Sequence, residues 1–390
     1  MSDFSSWGPT NDLKIKPEIT AHGGEIESCI PGEAYERQSG TSMAAPNQAG
    51  ATALIREYVK YSGIFGENLA DHTNARKVAS IVNQLMMSTT DIVLNKDGLP
   101  YAVRKQGSGL VNIKKATTTA AYLTTYDLGG NKMTKAKFEL GDDKDRTGVY
   151  EMKFDINNIS DSALSYLVDG KILTEGVSET YTSHDDTTVT QEGHLLAGAK
   201  TTVLSVTGDG VKNGNEVSVN AKGVATVTVR VELSDEDKKF LEDSFENGMY
   251  VEGFITLTAK SGTSVNLNAP LLTFYGDWTQ APIFDEEYYD THADEINKGI
   301  DPEDKLMADA FATRVLGGLH GEYITTMGTY NFVQNPSVTQ IAANKEYISL
   351  SNQTGEMNAT VNSIYAISAG LLRNVREMNI SITEDSTGKE

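Results

Sequence analysis

Hydrophobic and polar positions change their rhythm once along this chain, near residue 119. Before that point apolar or small residues recur every three or four positions. Ala45, Ala49, Ala53 and Leu54 share one face of a helix that runs to about Tyr58, and Val78, Ile81, Val82 and Leu85 mark a second helix from about Asn74 to Met87. The Met86–Met87 pair that closes it reads as core. Beyond residue 119 the period is two. Met152, Phe154 and Ile156 alternate with Lys153 and Asp155, while Val227, Val229, Val231 and Leu233 alternate with Thr228, Arg230 and Glu232. Val251, Ile255 and Leu257 form a third such face. Strands with one apolar and one wet face predict an antiparallel sandwich. Ser234 is placed to cap a short helical insert reaching about Glu246. Asp301 and Pro302 read as the N-cap and first residue of a helix to about Arg314. Tyr347–Leu350, Tyr365–Arg373 and Asn379–Ile382 read as strands again.

The pattern therefore divides the chain into an α/β segment over 1–118, a β-sandwich over 119–285, a connector over 286–334 and a partial second β-sandwich over 335–390. A length of 390 residues and a hydrophobic fraction of 39% suit several globular domains. The net charge of -21 argues against a nucleic-acid partner, whose phosphates it would repel. No apolar run is long enough to span a membrane. The single cysteine, Cys29, forms no internal disulfide and is expected as a small core residue in the strand-like run Ile26–Ile30.

Little of the remaining chemistry is patterned. Asp142-Asp143-Lys144-Asp145 lacks the twelfth-position carboxylate of a calcium loop, since counting from Asp143 reaches Phe154; it reads as a solvated turn. The six histidines are scattered, with His184, Asp185, Asp186 and His194 forming a loose polar cluster on a β-domain loop. No phosphate-cradling loop or metal-ligand spacing occurs, so neither a cofactor nor a metal is expected. Trp278 is expected to pack at a domain junction.

One segment carries chemistry. In Gly40-Thr41-Ser42-Met43-Ala44-Ala45-Pro46-Asn47-Gln48-Ala49-Gly50 a turn runs into a serine and then into a helix of small residues. Free N–H groups and the positive end of the helix dipole meet at such a point, which suits a nucleophile whose attack creates an oxyanion. The small residues predict a helix set deep in a core.

This segment resembles the active-site serine segment of the subtilisin-like serine peptidases (subtilases). Phe4-Ser5-Ser6-Trp7-Gly8-Pro9 and Lys16-Pro17-Glu18-Ile19-Thr20-Ala21-His22-Gly23-Gly24 resemble the stretch before that serine. Gln106-Gly107-Ser108-Gly109-Leu110-Val111-Asn112 resembles the family's closing turn. The likeness is to the lactocepin-type cell-envelope proteinases, in which a fibronectin-III-like domain follows the catalytic one; the strings Phe274-Tyr275-Gly276-Asp277-Trp278 and Ala281-Pro282-Ile283-Phe284-Asp285 resemble that domain's end. The resemblance implies a secreted or cell-wall-associated serine endopeptidase acting on extracellular proteins or peptides, with Ser42 as nucleophile.

It also implies a triad, and the triad is incomplete. The family's Asp and His lie well over a hundred residues before the serine and its oxyanion Asn also lies upstream, whereas 41 residues precede Ser42 here. His22 stands where the family has proline, and Asp3 and Asp12 read as solvated loop carboxylates. The chain lacks a signal peptide and reads as truncated at both ends. The expectation is therefore a peptidase fragment that is inactive alone. Two other readings stay open: a non-catalytic surface or adhesion module with a vestigial peptidase remnant, and one half of a split enzyme whose N-terminal catalytic half is a separate partner. In either case the remnant is expected to expose part of a core.

Overall fold

The computed structural model describes residues 1–177, 193–260 and 265–280, together with the backbone of 178 and 188–192 and of the strands Arg314–Leu319, Tyr323–Thr326 and Ile364–Ser368. The chain divides into two compact units, Met1–Ala281 and Pro282–Glu390.

In the first unit a hairpin of β1 (Ile26–Ile30) and β2 (Ala34–Gln38) leads into helix α1 (Thr41–Tyr61). A short 3-10 turn precedes α2 (Ala75–Ser88), and the small helices α3 (Val103–Gln106) and α4 (Ile113–Thr118) follow. The α2 face expected from the sequence is the one that is buried. Val78, Ile81, Val82 and Leu85 meet Ile55 and Val59 of α1 in one core cluster, and Met86 and Met87 are buried beside them.

The sandwich comprises β3 (Ala121–Thr125), β4 (Phe138–Asp143), β5 (Val149–Asn158), β6 (Leu164–Ser178), β7 (Thr188–Leu195), β8 (Lys200–Gly208), β9 (Gly210–Asn213), β10 (Glu216–Val219), β11 (Val224–Glu232), β12 (Met249–Ala259) and β13 (Leu267–Tyr275). One sheet orders β3-β5-β11-β8; the other orders β4-β13-β12-β6-β10-β9, with β7 pairing β6. Met152, Phe154, Ile156 and Val227, Val229 and Val231 of β11 fill the space between them with Val251, Ile255 and Leu257. Helix α5 (Asp235–Ser244) begins at a full capping box, Ser234 accepting from the Asp237 N–H and Asp237 from the Ser234 N–H.

Strand β8 is a sheet edge, but the backbone of its first half is partly occupied by side chains. Asn215 accepts from the Val203 N–H at 3.0 Å and donates to the Thr201 carbonyl at 2.9 Å. Lys212 donates to the carbonyls of Val203 and Leu204 at 2.8 and 2.9 Å.

The one-wet-face expectation fails in two places. Asp155, read as a solvent position, is 1% exposed; it accepts from Tyr126 and Thr226 and pairs with Lys132 at 2.8 Å under the 126–132 loop. Strands β12 and β13 are also covered on their outer face. Ile15 and Val103 of the α/β segment pack there against Phe254 and Leu272. Each of those side chains contributes about 1.5–3 kcal/mol by leaving water, so the α/β segment and the sandwich share a second apolar layer.

Ionic contacts reinforce this junction. The Glu18 carboxylate receives the ammonium groups of Lys135, Lys137 at 2.8 Å and Lys16 at 3.0 Å, and Lys137 also reaches Glu139 at 2.6 Å. Burial alone would raise the Glu18 pKa, but the lysines override it and hold the carboxyl at about 2. A depressed folded-state pKa gives stability that is present above pH 4.5 and lost as the pH falls toward 2. Urea titrations of the wild type and Glu18→Gln should differ at pH 7, draw together as the pH falls below 4.5 and converge only below about pH 2.

Trp278 packs as expected: its ring meets Phe274 and Tyr250 at centroid distances of 5.0 and 5.9 Å, and its indole N–H donates to the Asn11 carbonyl at 3.0 Å. The Asp142–Asp145 turn is held by Asp143, which accepts from the N–H groups of Thr147 and Gly148 at 2.9 and 2.8 Å.

In the second unit β14 (Arg314–Leu319) pairs with β15 (Tyr323–Thr326) and β16 (Ile364–Ser368) in an antiparallel sheet. β14 and β15 fall within the stretch read as connector. The helix expected over 301–314 lies outside the described residues except for Arg314, which instead opens β14; the strands expected at 347–350 and 379–382 lie outside them too, as do His184, Asp185 and Asp186.

Candidate active site at the start of helix α1

Ser42 is the second residue of α1 and is exposed. The N–H groups of Met43 and Ala44 turn back to the Gly40 carbonyl at 3.1 and 3.3 Å. Among the described residues this leaves the Thr41 and Ser42 N–H groups as the open donors at the helix start. No carboxylate stands in the first turn to compete for the positive end of the dipole. Pro46 lies inside the helix, four residues on, and its ring nitrogen has no hydrogen to offer the Ser42 carbonyl. The Ser42 carbonyl thus lacks its regular donor four residues on.

Three neighbouring segments hold the turn. Gly23 touches it directly: its carbonyl accepts the Gly40 N–H at 2.8 Å, and a Cβ on Gly23 would lie 2.6 Å from the Gly40 carbonyl oxygen and 2.9 Å from the Ala44 Cβ. The Thr20 backbone behind Gly23 pairs with the closing turn, donating to the Gly109 carbonyl and accepting from the Val111 N–H, both at 2.9 Å. In that turn Gln106 is fully buried, its amide exchanging bonds with Val93 at 2.8 and 3.1 Å and donating to the Tyr101 carbonyl at 2.6 Å. Gly107 (φ 62°, ψ -131°) sits where a Cβ would come within 2.2 Å of the Glu18 carbonyl carbon. Asn112 caps α4 by accepting the Lys115 N–H at 2.9 Å. The closing turn's fixed residues are therefore structural, the scaffold on which the serine turn rests.

No imidazole joins the site. His22 is exposed, and among the described residues no hydrogen bond links a histidine to Ser42. His22 lines a cavity of about 320 Å³ beside the helix start with Phe4, Thr20, Gly23, Thr41 and Ala44; Ser42 is not among its lining residues. Asp3 and Asp12 are exposed, and Asp12 accepts from the Thr10 hydroxyl at 2.5 Å, which lowers its pKa. His194 is remote in the sandwich, stacked on Phe240 at 3.8 Å, where burial lowers its pKa. As it stands the arrangement offers a hydroxyl and one oriented oxyanion donor; a serine without a base is a weak nucleophile. No group of three or more metal-binding side chains occurs among the described residues.

Two expectations fail here. Helix α1 is not set deep in a core. Its buried stripe is Ala51, Ile55 and Val59, while Ala45, Ala49, Gly50 and Ala53 are exposed and Leu54 is 53% exposed. Cys29 is exposed rather than core, on a hairpin where Tyr35 is 71% exposed. Both failures have one cause: the faces are chemically suited to burial, but no described residue covers them.

The reading by sequence also missed a buried charge cluster under the closing turn. Glu252 accepts the Arg104 backbone N–H at 3.0 Å and its guanidinium at 3.1 and 3.2 Å; the guanidinium also donates to Glu175. Tyr250 lies under the cation at 4.1 Å, and all three charged side chains are buried. Two coulombic partners hold the guanidinium further above its ordinary pKa despite the cost of burial. The available signal was a glutamate inside the apolar strand run Val251-Glu252-Gly253-Phe254-Ile255.

Residues 1–109 match the Peptidase_S8 model, the subtilase family, and residues 138–272 match the Fn3-like domain model. The PII-type proteinase of Lacticaseibacillus paracasei is 28% identical over 296 residues, covering 73% of this chain and 14% of that protein, and the PI-type proteinase of Lactococcus lactis subsp. cremoris matches to the same extent. The C5a peptidase of Streptococcus pyogenes serotype M1 is 26% identical over 314 residues, covering 79% of this chain and 24% of that protein. The chain thus spans between 14% and 24% of the length of these relatives. A solved ASH / PapD-like domain of human CEP192 is similar with a TM-score of 0.22 and 8% identity, over 40% of this chain and 85% of that one; this is too remote to carry an argument.

Proposed function

Since residues 1–109 belong to the subtilase family and residues 138–272 form an Fn3-like domain, we propose that this chain is the serine-bearing part of a secreted, cell-envelope-type serine endopeptidase. Ser42 is its nucleophile, and extracellular proteins or peptides are its substrates. The observation that carries this reading is the serine at a helix start whose dipole end and N–H groups are open, in the family's own sequence setting. In catalysis the Ser42 hydroxyl attacks the scissile carbonyl and its own N–H donates to the oxyanion, while a histidine takes the proton and an aspartate orients that histidine.

Among the described residues neither of those two partners stands beside Ser42, and on this reading the chain alone is inactive. The base and acid arrive on polypeptide outside it, preceding in the same chain or supplied by a second one. The uncovered small-residue face of α1 and the exposed β1–β2 hairpin support this, because they are the surfaces such polypeptide would cover. Loss of triad members removes several orders of magnitude of rate.

A fluorophosphonate probe tests both halves of the proposal. The chain alone should leave Ser42 unlabelled. Adding the Asp- and His-bearing half of a lactocepin-type catalytic domain should bring labelling that Ser42→Ala abolishes. Labelling of the isolated chain would overturn the claim of inactivity. A complement that binds α1 yet leaves Ser42 unlabelled would favour a non-catalytic surface module instead.

A further inference from the structure

We propose that Glu252, assisted by Glu175, is a positioning residue through which the sandwich holds the serine turn in place. This inference rests on reading Ser42 as the functional serine. Glu252 lies on β12, in the sandwich, yet its carboxylate takes the N–H of Arg104, the second residue of α3, and wraps the Arg104 guanidinium. Arg104 in turn stands two residues before the buried Gln106, whose carbonyl accepts the Thr20 hydroxyl at 3.0 Å. The next residues pin the same strand: the Ser108 N–H donates to the Glu18 carbonyl at 3.0 Å, and Thr20 pairs with Gly109 and Val111. Three residues on, Gly23 holds the Gly40 N–H. A continuous series of backbone contacts therefore joins a sandwich carboxylate to the residue that caps α1.

Each link is tight in a way that leaves little slack. The Gly107 and Gly23 approaches are closer than any side chain allows, so a shift of α3 cannot be absorbed there and passes to the Thr20 strand. The cluster is also specific in geometry. The planar fork of Arg104 contacts two carboxylates from different strands while its face lies over Tyr250, which fixes the rotation of α3 as well as its position. A merely apolar junction, such as the Ile15–Val103–Phe254–Leu272 layer, would tolerate sliding.

Spatial continuity alone does not establish coupling, so the test must read the far end of the series. Hydrogen exchange on the whole 390-residue chain, followed by mass spectrometry, would compare the peptide containing Gly40 with one from the sandwich core. In Glu252→Ala, exchange at the Gly40 peptide should rise roughly tenfold, while Glu252→Gln, which keeps the acceptor oxygen, should recover most of the protection. Val229→Ala, a cavity in the sandwich core far from α3, serves as a control matched for lost stability. The proposal is overturned if Val229→Ala loosens the Gly40 peptide as much as Glu252→Ala does, since that is global destabilisation. It is also overturned if exchange in Glu252→Ala changes only at residues 102–106. Should Glu252→Ala fail to fold, Arg104→Lys, which keeps the charge but breaks the fork between the two carboxylates, takes its place: the Gly40 peptide should loosen more than in Val229→Ala, and equal loosening overturns the proposal. Failure of the probe experiment on Ser42 leaves these exchange results untouched, so the two readings fail separately.

Discussion

Replacing Arg104 with alanine should lower the stability of the first unit by about 3–5 kcal/mol, the range found when a buried ion pair loses one member. Two carboxylates, Glu175 and Glu252, would remain in a pocket from which water is excluded. Their mutual repulsion adds to the desolvation that the guanidinium now offsets. The remedy distinguishes this mechanism from lost packing: Arg104→Met combined with Glu175→Gln and Glu252→Gln removes every charge at nearly constant volume and should recover most of the loss. The molecule supplies its own reporter. The chain has two tryptophans, and both lie at this junction, Trp7 beside Arg104 and Trp278 against Tyr250. Urea unfolding followed by tryptophan fluorescence therefore reads the relevant region. A single mutant within about 1 kcal/mol of wild type would mean that water reaches the cluster and screens it.

Gly107→Ala should be nearly as costly, about 3 kcal/mol, because two penalties coincide. The backbone conformation is one that residues with a Cβ rarely adopt, and the added methyl would overlap the Glu18 peptide group. Gly63 provides the comparison. It also has positive φ, +74°, but open space around its Cβ position, so Gly63→Ala should cost only the conformational part, about 1 kcal/mol. Thermal unfolding of the two variants separates strain from collision. Equal losses would show that the closing turn moves aside, and with it the rigid support claimed for the serine turn.

How much of this was readable from the sequence depended on what a local pattern can encode. Alternation in β5 and β11 identified the sandwich's inner faces residue by residue, because an inner face needs only apolar groups at every second position. The outer faces were misread where a partner lies far away in sequence. Glu252 and Asp155 look like solvent positions until Arg104 or the 126–132 loop is brought over them. The reverse error occurred on α1 and at Cys29. Small and apolar residues show what a surface is fit to contact, not that the contact is present. Ser42 was found because its chemistry is local, a turn, a hydroxyl and a helix start in eleven residues. The Glu252 cluster was not, because its three members are spread over about 150 residues and no motif joins them.

The side chains that occupy β8 bear on how such a sandwich lives among its neighbours. A strand at a margin ordinarily invites another molecule to zip onto it. Here Asn215 and Lys212 answer groups of Thr201, Val203 and Leu204 on that margin, from within the same domain. Crowded side by side, copies of the module find fewer open groups along that half of the strand, which disfavours the fusing of their sheets there and with it the beginning of a fibre.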